Sequence, residues 1–277
     1  MKVIKELPLS IYQSIRLASI PRSKLIRMKR EELPVIISLT SIPSRFRTLH
    51  LVIRSLFTQT HHPKKIVLWL NNEIKSQVPR KILNLQCELF EICYSDLNCS
   101  HRKLIHSLDK YPDDVIITCD DDLMYRNNWL YLLYKNHKSS PNCIIGNRTI
   151  YINYDSPEKP APYKLWKFPD QEDINQKAII PIGAWGILYP PNSLNKQVLD
   201  SGLFLRLAPQ SDDFWFKAMA LLNGTLSVQA DVIPKEPIPI AGTQKGALKK
   251  TNINQNKNDV QWNALSEYFN LYPLITK

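Results

Sequence analysis

Four short runs dominated by apolar residues divide the first half of this chain: VIISL at 35–39, IVLWL at 66–70, LFEIC at 89–93 and VIITC at 115–119. Between them apolar residues fall at helical spacing, with Leu49, Val52, Ile53 and Leu56 in 47–58 and Leu104, Ile105 and Leu108 in 100–110. Strands separated by helices predict βαβ units and a mostly parallel sheet. Apolar runs that do not alternate predict a sheet covered on both faces. Ser100 is expected to cap the second of these helices, and Asn127 or Asn128 opens another with Trp129, Leu132 and Leu133 inward. Beyond it the pattern is less regular. Strands are expected at 143–152, 187–189 and 226–232, with prolines between them, and a helix at 212–222 capped by Ser211. The expectation is an α/β fold in one domain over 34–277, preceded by a basic arm over 1–33 and ending in a polar loop and tail over 243–277.

Glycine narrows the chemistry. There are 7 glycines in 277 residues, all at Gly146 or later. The first half therefore holds neither a G-x-G-x-x-G turn nor a Walker A loop, because both use glycine to bring backbone against phosphate. Net charge is +11. Up to Arg30 the arm sets Lys2, Lys5, Arg16, Arg22, Lys24, Arg27, Lys29 and Arg30 against Glu6 alone, with apolar residues interleaved. Two readings stay open: an arm lying on an anionic membrane surface, or an irregular solvated arm whose helix Pro8 and Pro21 interrupt. The arm has no signal-peptide core, and no stretch approaches the ~20 apolar residues that span a bilayer. The concentration of basic residues in the arm argues against a nucleic-acid partner. The five cysteines, at 87, 93, 99, 119 and 143, form no C-x-x-C pair. Together with His101 and His106 they match no zinc spacing, and reduced thiols in a cytoplasmic protein fit them.

Asp120, Asp121 and Asp122 follow VIITC directly. Three adjacent carboxylates repel one another, so a cation is expected to offset them. In an extended chain Asp120 and Asp122 share one side. That D-x-D pair sits at the carboxyl end of a buried strand, where open α/β sheets place ligands. Two oxygens from one side suit Mn2+ or Mg2+, with the remaining positions left to water and a diphosphate.

The ordered set VIISLTSIPSR, IVLWLN, HRKLIHSLDKYPDDVIITCDDDLMY, PIGAWGILYPP and APQSDDFWFKAM, over roughly 34–225, resembles bacterial glycosyltransferases of the GT-A fold, close to the family 2 type of lipopolysaccharide and capsule assembly. The resemblance implies a GT-A-like, Rossmann-like sheet with a nucleotide-sugar half (34–125) and an acceptor half (126–242). It implies a hexosyltransferase type of enzyme that takes a nucleotide-sugar, expected to be a UDP-sugar, and a glycan or glycolipid acceptor. Asp120 and Asp122 would bind the metal, and Asp120 and Asp121 the donor. Thr40, Ser41, Ile42 and Pro43 would seat the base. Two readings stay open for Arg45 and Arg47, phosphate contact or surface charge, and for Lys103, neutralising the diphosphate or a solvated helix face. Family members commonly hold the base with an acid after the second strand; here the chain reads Asn71-Asn72-Glu73, which leaves the base contact at Asn71 open. Gly183, Ala184, Trp185 and Gly186 would wall the sugar site. Asp213 would act as the base of an inverting reaction, with Asp212 as its runner-up. A basic loop around Gly242, Gly246, Lys249 and Lys250 either closes over the diphosphate or is a plain linker. Other readings are a retaining enzyme of similar fold, a metal-dependent phosphoesterase or nuclease, and a non-catalytic module. The expected location is the cytoplasm, peripheral on the inner face of its membrane.

Overall fold

The structure is a computed structural model that describes residues 2–27, 29–156, 159–167, 174–243 and 256–276, with residues 2–6 described by their backbone alone. Helices α1 (Lys2–Ser19) and α2 (Arg22–Arg27) precede strand β1 (Glu32–Thr40). Helix α3 (Phe46–Phe57) leads to β2 (His62–Asn71), a short α4 (Arg80–Leu83) to β3 (Phe90–Ser95), and α5 (Arg102–Lys110) to β4 (Val115–Thr118). Then come β5 (Leu123–Met124), α6 (Trp129–Ser139), β6 (Ile144–Gly146), β7 (Thr149–Tyr151), β8 (Tyr154–Ser156), β9 (Lys159–Pro160), β10 (Ile179–Pro181) and β11 (Ile187–Tyr189). Helices α7 (Ser201–Leu207) and α8 (Asp212–Leu222), strands β12 (Ser227–Gln229) and β13 (Ile238–Pro239), and helices α9 (Lys257–Phe269) and α10 (Tyr272–Thr276) follow.

The central sheet has seven strands in the order β12-β6-β11-β4-β1-β2-β3. β1 to β4 pair in parallel, as does β12 with β6, while β11 runs antiparallel between β4 and β6. This is the mostly parallel α/β sheet that the apolar runs predict. Along β1, Val35, Ile37 and Leu39 enter the apolar layer with α3, and Ile36 enters the layer with α5 and α8, all fully buried. The alternation of side chains thus feeds two cores, which is why no exposed polar residue lies between Val35 and Leu39. The order β3-β2-β1-β4 reverses direction at β1. The crevice beyond the ends of β1 and β4 is therefore a topological switch point, the place where open α/β sheets leave room for a ligand.

Several expectations are corrected. Pro21 does separate two helices, but Pro8 lies inside α1. Proline removes one backbone hydrogen bond there, and tertiary contacts hold the helix instead. Leu17 and Leu25 are buried, and Arg54 of α3 donates to the carbonyls of Leu17 (2.9 Å) and Ile20 (2.7 Å) at the end of α1. The arm is thus part of the folded body, not an irregular solvated segment. The strand expected over 143–152 is two strands. β6 belongs to the central sheet and β7 to a separate pair with β10. The chain leaves the sheet at Gly146, where a Cβ would lie 2.8 Å from that of Pro181 on β10. Ser100 and Ser211 do not cap their helices through side chains: the cap position before α5 is His101, and the Ser211 hydroxyl turns to Asn258 Oδ1 (3.3 Å). The tail is helical over 257–276 and buries Trp262, Leu265, Leu271 and Ile275 in the layer with α8. Residues 244–255 of the basic loop, with Gly246, Lys249 and Lys250, lie outside the described residues.

Arg54→Ala removes two charged hydrogen bonds from the end of α1. Stability is expected to drop by about 2–3 kcal/mol, since such bonds contribute about 1.5–3 kcal/mol each before relaxation. Amide exchange across 7–19 should accelerate more than exchange in β1.

Candidate functional site at the ends of β1 and β4

The acidic triplet is not an extended D-x-D. β4 ends at Thr118, and residues 121 and 122 are in a turn. Because the chain turns, the three carboxylates reach three different partners. Asp120 Oδ1 meets Lys103 Nζ at 3.2 Å, Asp121 Oδ2 accepts from the Ser41 hydroxyl at 2.5 Å, and Asp122 Oδ2 pairs with Arg45 Nη2 at 3.3 Å. Burial, followed by the charge of Asp120, pushes Asp122 up to about 6 against the pull of Arg45. Burial also raises Asp121.

Lys103 is the centre of the site. It enters on α5, whose first turn is pinned to the sheet: the Ser38 hydroxyl of β1 donates to the Lys103 carbonyl and meets Ser107 Oγ at 2.8 Å. Its ammonium also pairs with Asp212 Oδ2 at 3.0 Å. Burial works to discharge Lys103, but Asp212, Asp120 and Asp213 together outweigh burial and hold its pKa well above the ordinary value. Asp212 and Asp213 begin α8, where carboxylates suit the helix dipole, and their environments push them apart. Burial raises both; for Asp212 it is outweighed by Lys103, then His101, with a further hydrogen bond from Ser100, so its pKa falls. For Asp213, burial and the neighbouring Asp212 charge prevail and its pKa rises. The Gly183 amide donates to Asp213 Oδ2 at 3.2 Å. A Cβ at 183 would stand 3.2 Å from Lys103 Nζ and 3.3 Å from Asp213 Oδ1, so glycine lets this backbone close over the cluster.

The remaining expected residues divide. Thr40 Oγ1 donates to the Trp69 carbonyl at 2.9 Å, and Pro43 opens a single turn that ends at Arg45. Arg45 also donates to the Thr243 carbonyl. Asn71 is spent on the chain itself: its Oδ1 accepts from the Glu73 amide (2.8 Å) and its Nδ2 donates to the Asp96 carbonyl (3.1 Å). Trp185 is half-buried with the Arg148 guanidinium 5.9 Å from its ring centre. Gly186 is buried away from the cluster. It has φ +96°, and a Cβ would stand 2.5 Å from the Trp129 ring, so two independent constraints require glycine.

Three residues with no expected part in the site shape it. Arg102, 1% exposed, donates to Thr40 Oγ1, to the Ser41 carbonyl (2.7 Å) and to the Leu97 carbonyl (2.7 Å), fixing the loop after β1. The Tyr125 hydroxyl accepts from the Asp120 amide (2.8 Å) and donates to the Ala184 carbonyl (3.2 Å). Trp129 Nε1 donates to the Trp185 carbonyl at 2.7 Å. Arg102 and Tyr125 lie in the HRK and DDDLMY blocks, but nothing local marks an arginine as buried.

Among the described residues no group of three or more His, Cys, Asp or Glu is placed to hold a metal ion. Yet the donor set has an excess of acid. Asp120, Asp121, Asp122, Asp212 and Asp213 gather around Lys103 and Arg45, and the raised pKa values of Asp121, Asp122 and Asp213 express that excess. Two carboxylates with water and phosphate filling the other positions is ordinary ligation for Mg2+ or Mn2+. Asp120 and Asp122 match such an ion by charge and donor type, and the Asp120 side chain is 33% exposed.

No family model matches the chain, and no curated protein matches it. Among solved structures it is similar to S. aureus TarS 1–349 in complex with UDP (TM-score 0.45, 11% identity, 74% of this chain and 59% of that one) and to S. aureus TarS 1–349 (TM-score 0.42, 12% identity, 76% and 59%). It is also similar to CMP:2-keto-3-deoxy-manno-octonic acid synthetase complexed with CTP (TM-score 0.41, 11% identity, 82% and 99%). The match thus spans 59% of the TarS chains. At these scores the likenesses set no activity for this chain.

His101 lies flat on Phe204 (ring centres 4.4 Å apart, interplanar angle 8°), and burial lowers its pKa to about 4. The unfolded chain takes up this proton near pH 6.5 and the folded one only near 4, so stability falls as pH drops through that window. The loss is about 3 kcal/mol at full extent. His101→Phe keeps the stacking and should show a flatter stability profile between pH 6.5 and 4 in denaturant titrations.

Proposed function

We propose that this chain transfers a sugar from a nucleotide-sugar, a UDP-sugar in the first instance, to a hydroxyl of a glycan or glycolipid, with inversion at the anomeric carbon. The observation that carries this reading is the single cluster of Asp120, Lys103, Asp212, Asp213 and Gly183 at the ends of β1 and β4. It supplies a cation for a departing diphosphate and a carboxylate of raised pKa beside it.

Each residue has a part. The loop after β1, held by Arg102, seats the nucleotide at Thr40, Ser41 and Pro43. Lys103 and Arg45 meet the diphosphate, where charge-assisted hydrogen bonds are strong. Asp213 accepts the proton of the acceptor hydroxyl as its oxygen bonds to the anomeric carbon and the bond to the nucleoside diphosphate breaks. Its raised pKa brings it nearer to working pH, which is where a general base is most effective. Asp212 stays ionised and keeps Lys103 charged and in place. Asp120 and Asp122 hold Mn2+ or Mg2+, which when bound offsets negative charge on the leaving diphosphate. Trp185 offers an indole face to the apolar side of a sugar ring.

A screen of nucleotide-sugars with Mn2+ and Mg2+, read as release of nucleoside diphosphate, tests the reading. One donor should be turned over, and chelation should stop turnover. Asp122→Asn is expected to abolish metal-dependent activity. Asp213→Asn is expected to lower turnover about 10²–10⁴-fold with donor affinity retained. A product with retained anomeric configuration would remove the inverting step and the role of Asp213 in it. Hydrolysis of nucleic acid without sugar transfer would overturn the reading as a whole.

A further inference from the structure

Helix α1 presents its polarity the wrong way round for a helix in water. Its inner side carries Ser10, Ser14 and Leu17. The Ser10 hydroxyl donates to the Pro239 carbonyl at 2.7 Å and accepts from the Ala241 amide at 3.0 Å, and Ser14 Oγ lies 3.8 Å from Met124 Sδ. Its outer side carries Leu7, Ile11, Tyr12 and Ile15, which are 43%, 48%, 63% and 64% exposed. Their spacing of four residues, with Tyr12 beside Ile11, makes one stripe. No described residue buries it.

The charge around this stripe is one-sided. From Leu7 to Arg30 the chain contains no Asp or Glu, while Arg16, Lys24, Arg27 and Lys29 are exposed. Arg16 stands one turn beyond Tyr12 and borders the stripe. An apolar stripe beside uncompensated positive charge complements an anionic lipid surface, in which acyl chains lie under negative headgroups. Among the described residues no helix is long and apolar enough to cross a membrane, so such contact would be in the plane of the interface. We propose that the outer face of α1 docks on an anionic phospholipid bilayer.

The inner face of the same helix touches the candidate site's own supports. Pro239 and Ala241 lead to Thr243, whose carbonyl takes a hydrogen bond from Arg45, the partner of Asp122. Met124 follows the acidic turn by two residues. Resting on the transferase reading above, this contact places the site's edge one helix diameter, ~10 Å, from lipid, where a lipid-linked acceptor would be presented. The docking itself does not depend on that reading.

The test is flotation of the full chain with vesicles of phosphatidylcholine alone and with phosphatidylglycerol added. The chain should float with the anionic vesicles and not with the neutral ones, and raised salt should release it. The double variant Ile11→Ser, Ile15→Ser should bind at least about tenfold less, with an unchanged melting temperature because both side chains face outward. Arg16→Glu with Lys24→Glu should bind less than wild type at low salt and lose its salt dependence. Equal binding to both vesicle types, or full binding by the double variant, would overturn the proposal. So would a dimer that the double variant dissolves without any vesicle binding, or a lower melting temperature in that variant, which would mean that the chain itself covers the stripe. Vesicle binding is read without substrate, so a failed donor screen leaves this result standing, and the reverse also holds.

Discussion

A lysine ammonium withdrawn from water among three aspartates ties together segments far apart in the chain. Lys103 comes from α5, Asp120 from the turn after β4, and Asp212 and Asp213 from the start of α8. Each side of this arrangement needs the other. Alone in this environment the ammonium would lose its charge, and without it the carboxylates would face one another in low dielectric. The Gly183 backbone closes the group, and a Cβ there would press on Lys103 Nζ and Asp213 Oδ1 at 3.2 and 3.3 Å. The charge cluster is therefore both a structural junction and the centre of the candidate site.

What surrounds it is rigid where it meets the sheet and lighter where it meets solvent. Ser38, Ser107 and the Trp69 indole, whose Nε1 donates to Ser107 Oγ at 2.8 Å, fasten α5 to β1 and β2. Arg102, the residue before Lys103, turns the other way and holds the loop after β1. Two adjacent basic residues on one helix thus serve two different walls of the crevice. On the open side, Arg45 links the acidic turn to the segment after β13, and that segment rests on α1. A disturbance of α1 can therefore reach the acidic turn through few contacts, without passing through the sheet.

The parts legible in sequence were those with a local cause. Runs of apolar residues marked β1, β2 and β4 because a strand covered on both faces has no polar side to show, whereas β3 is a half-exposed edge strand. The bounds of α8 agree with the expected 212–222, since a stripe of large apolar residues and two leading acids are both local signals. The resemblance singled out Lys103, Asp120 and Asp213, and the structure brings them together. The paths by which they meet were not visible. Asn71 reads like a ligand position and is used as a turn cap; Gly186 reads like a sugar wall and is held by Trp129. Pro8 reads like a helix breaker, and its helix survives because α3 and the segment after β13 hold it. Residues 257–276 are expected as a tail because apolar and polar residues mix along them, and the side that packs with α8 is chosen by a segment far away in sequence.

The sequence by itself determined the alternation of strands and helices, the acids placed at the end of a buried strand, and the concentration of positive charge in the first thirty residues, because each is a property of neighbours along the chain. Tertiary structure decided which cation meets which carboxylate, which of two adjacent aspartates keeps its proton longer, and which face of α1 is left in water. Those outcomes depend on burial and on the distance between charges, and both are set only when segments remote in sequence pack against one another.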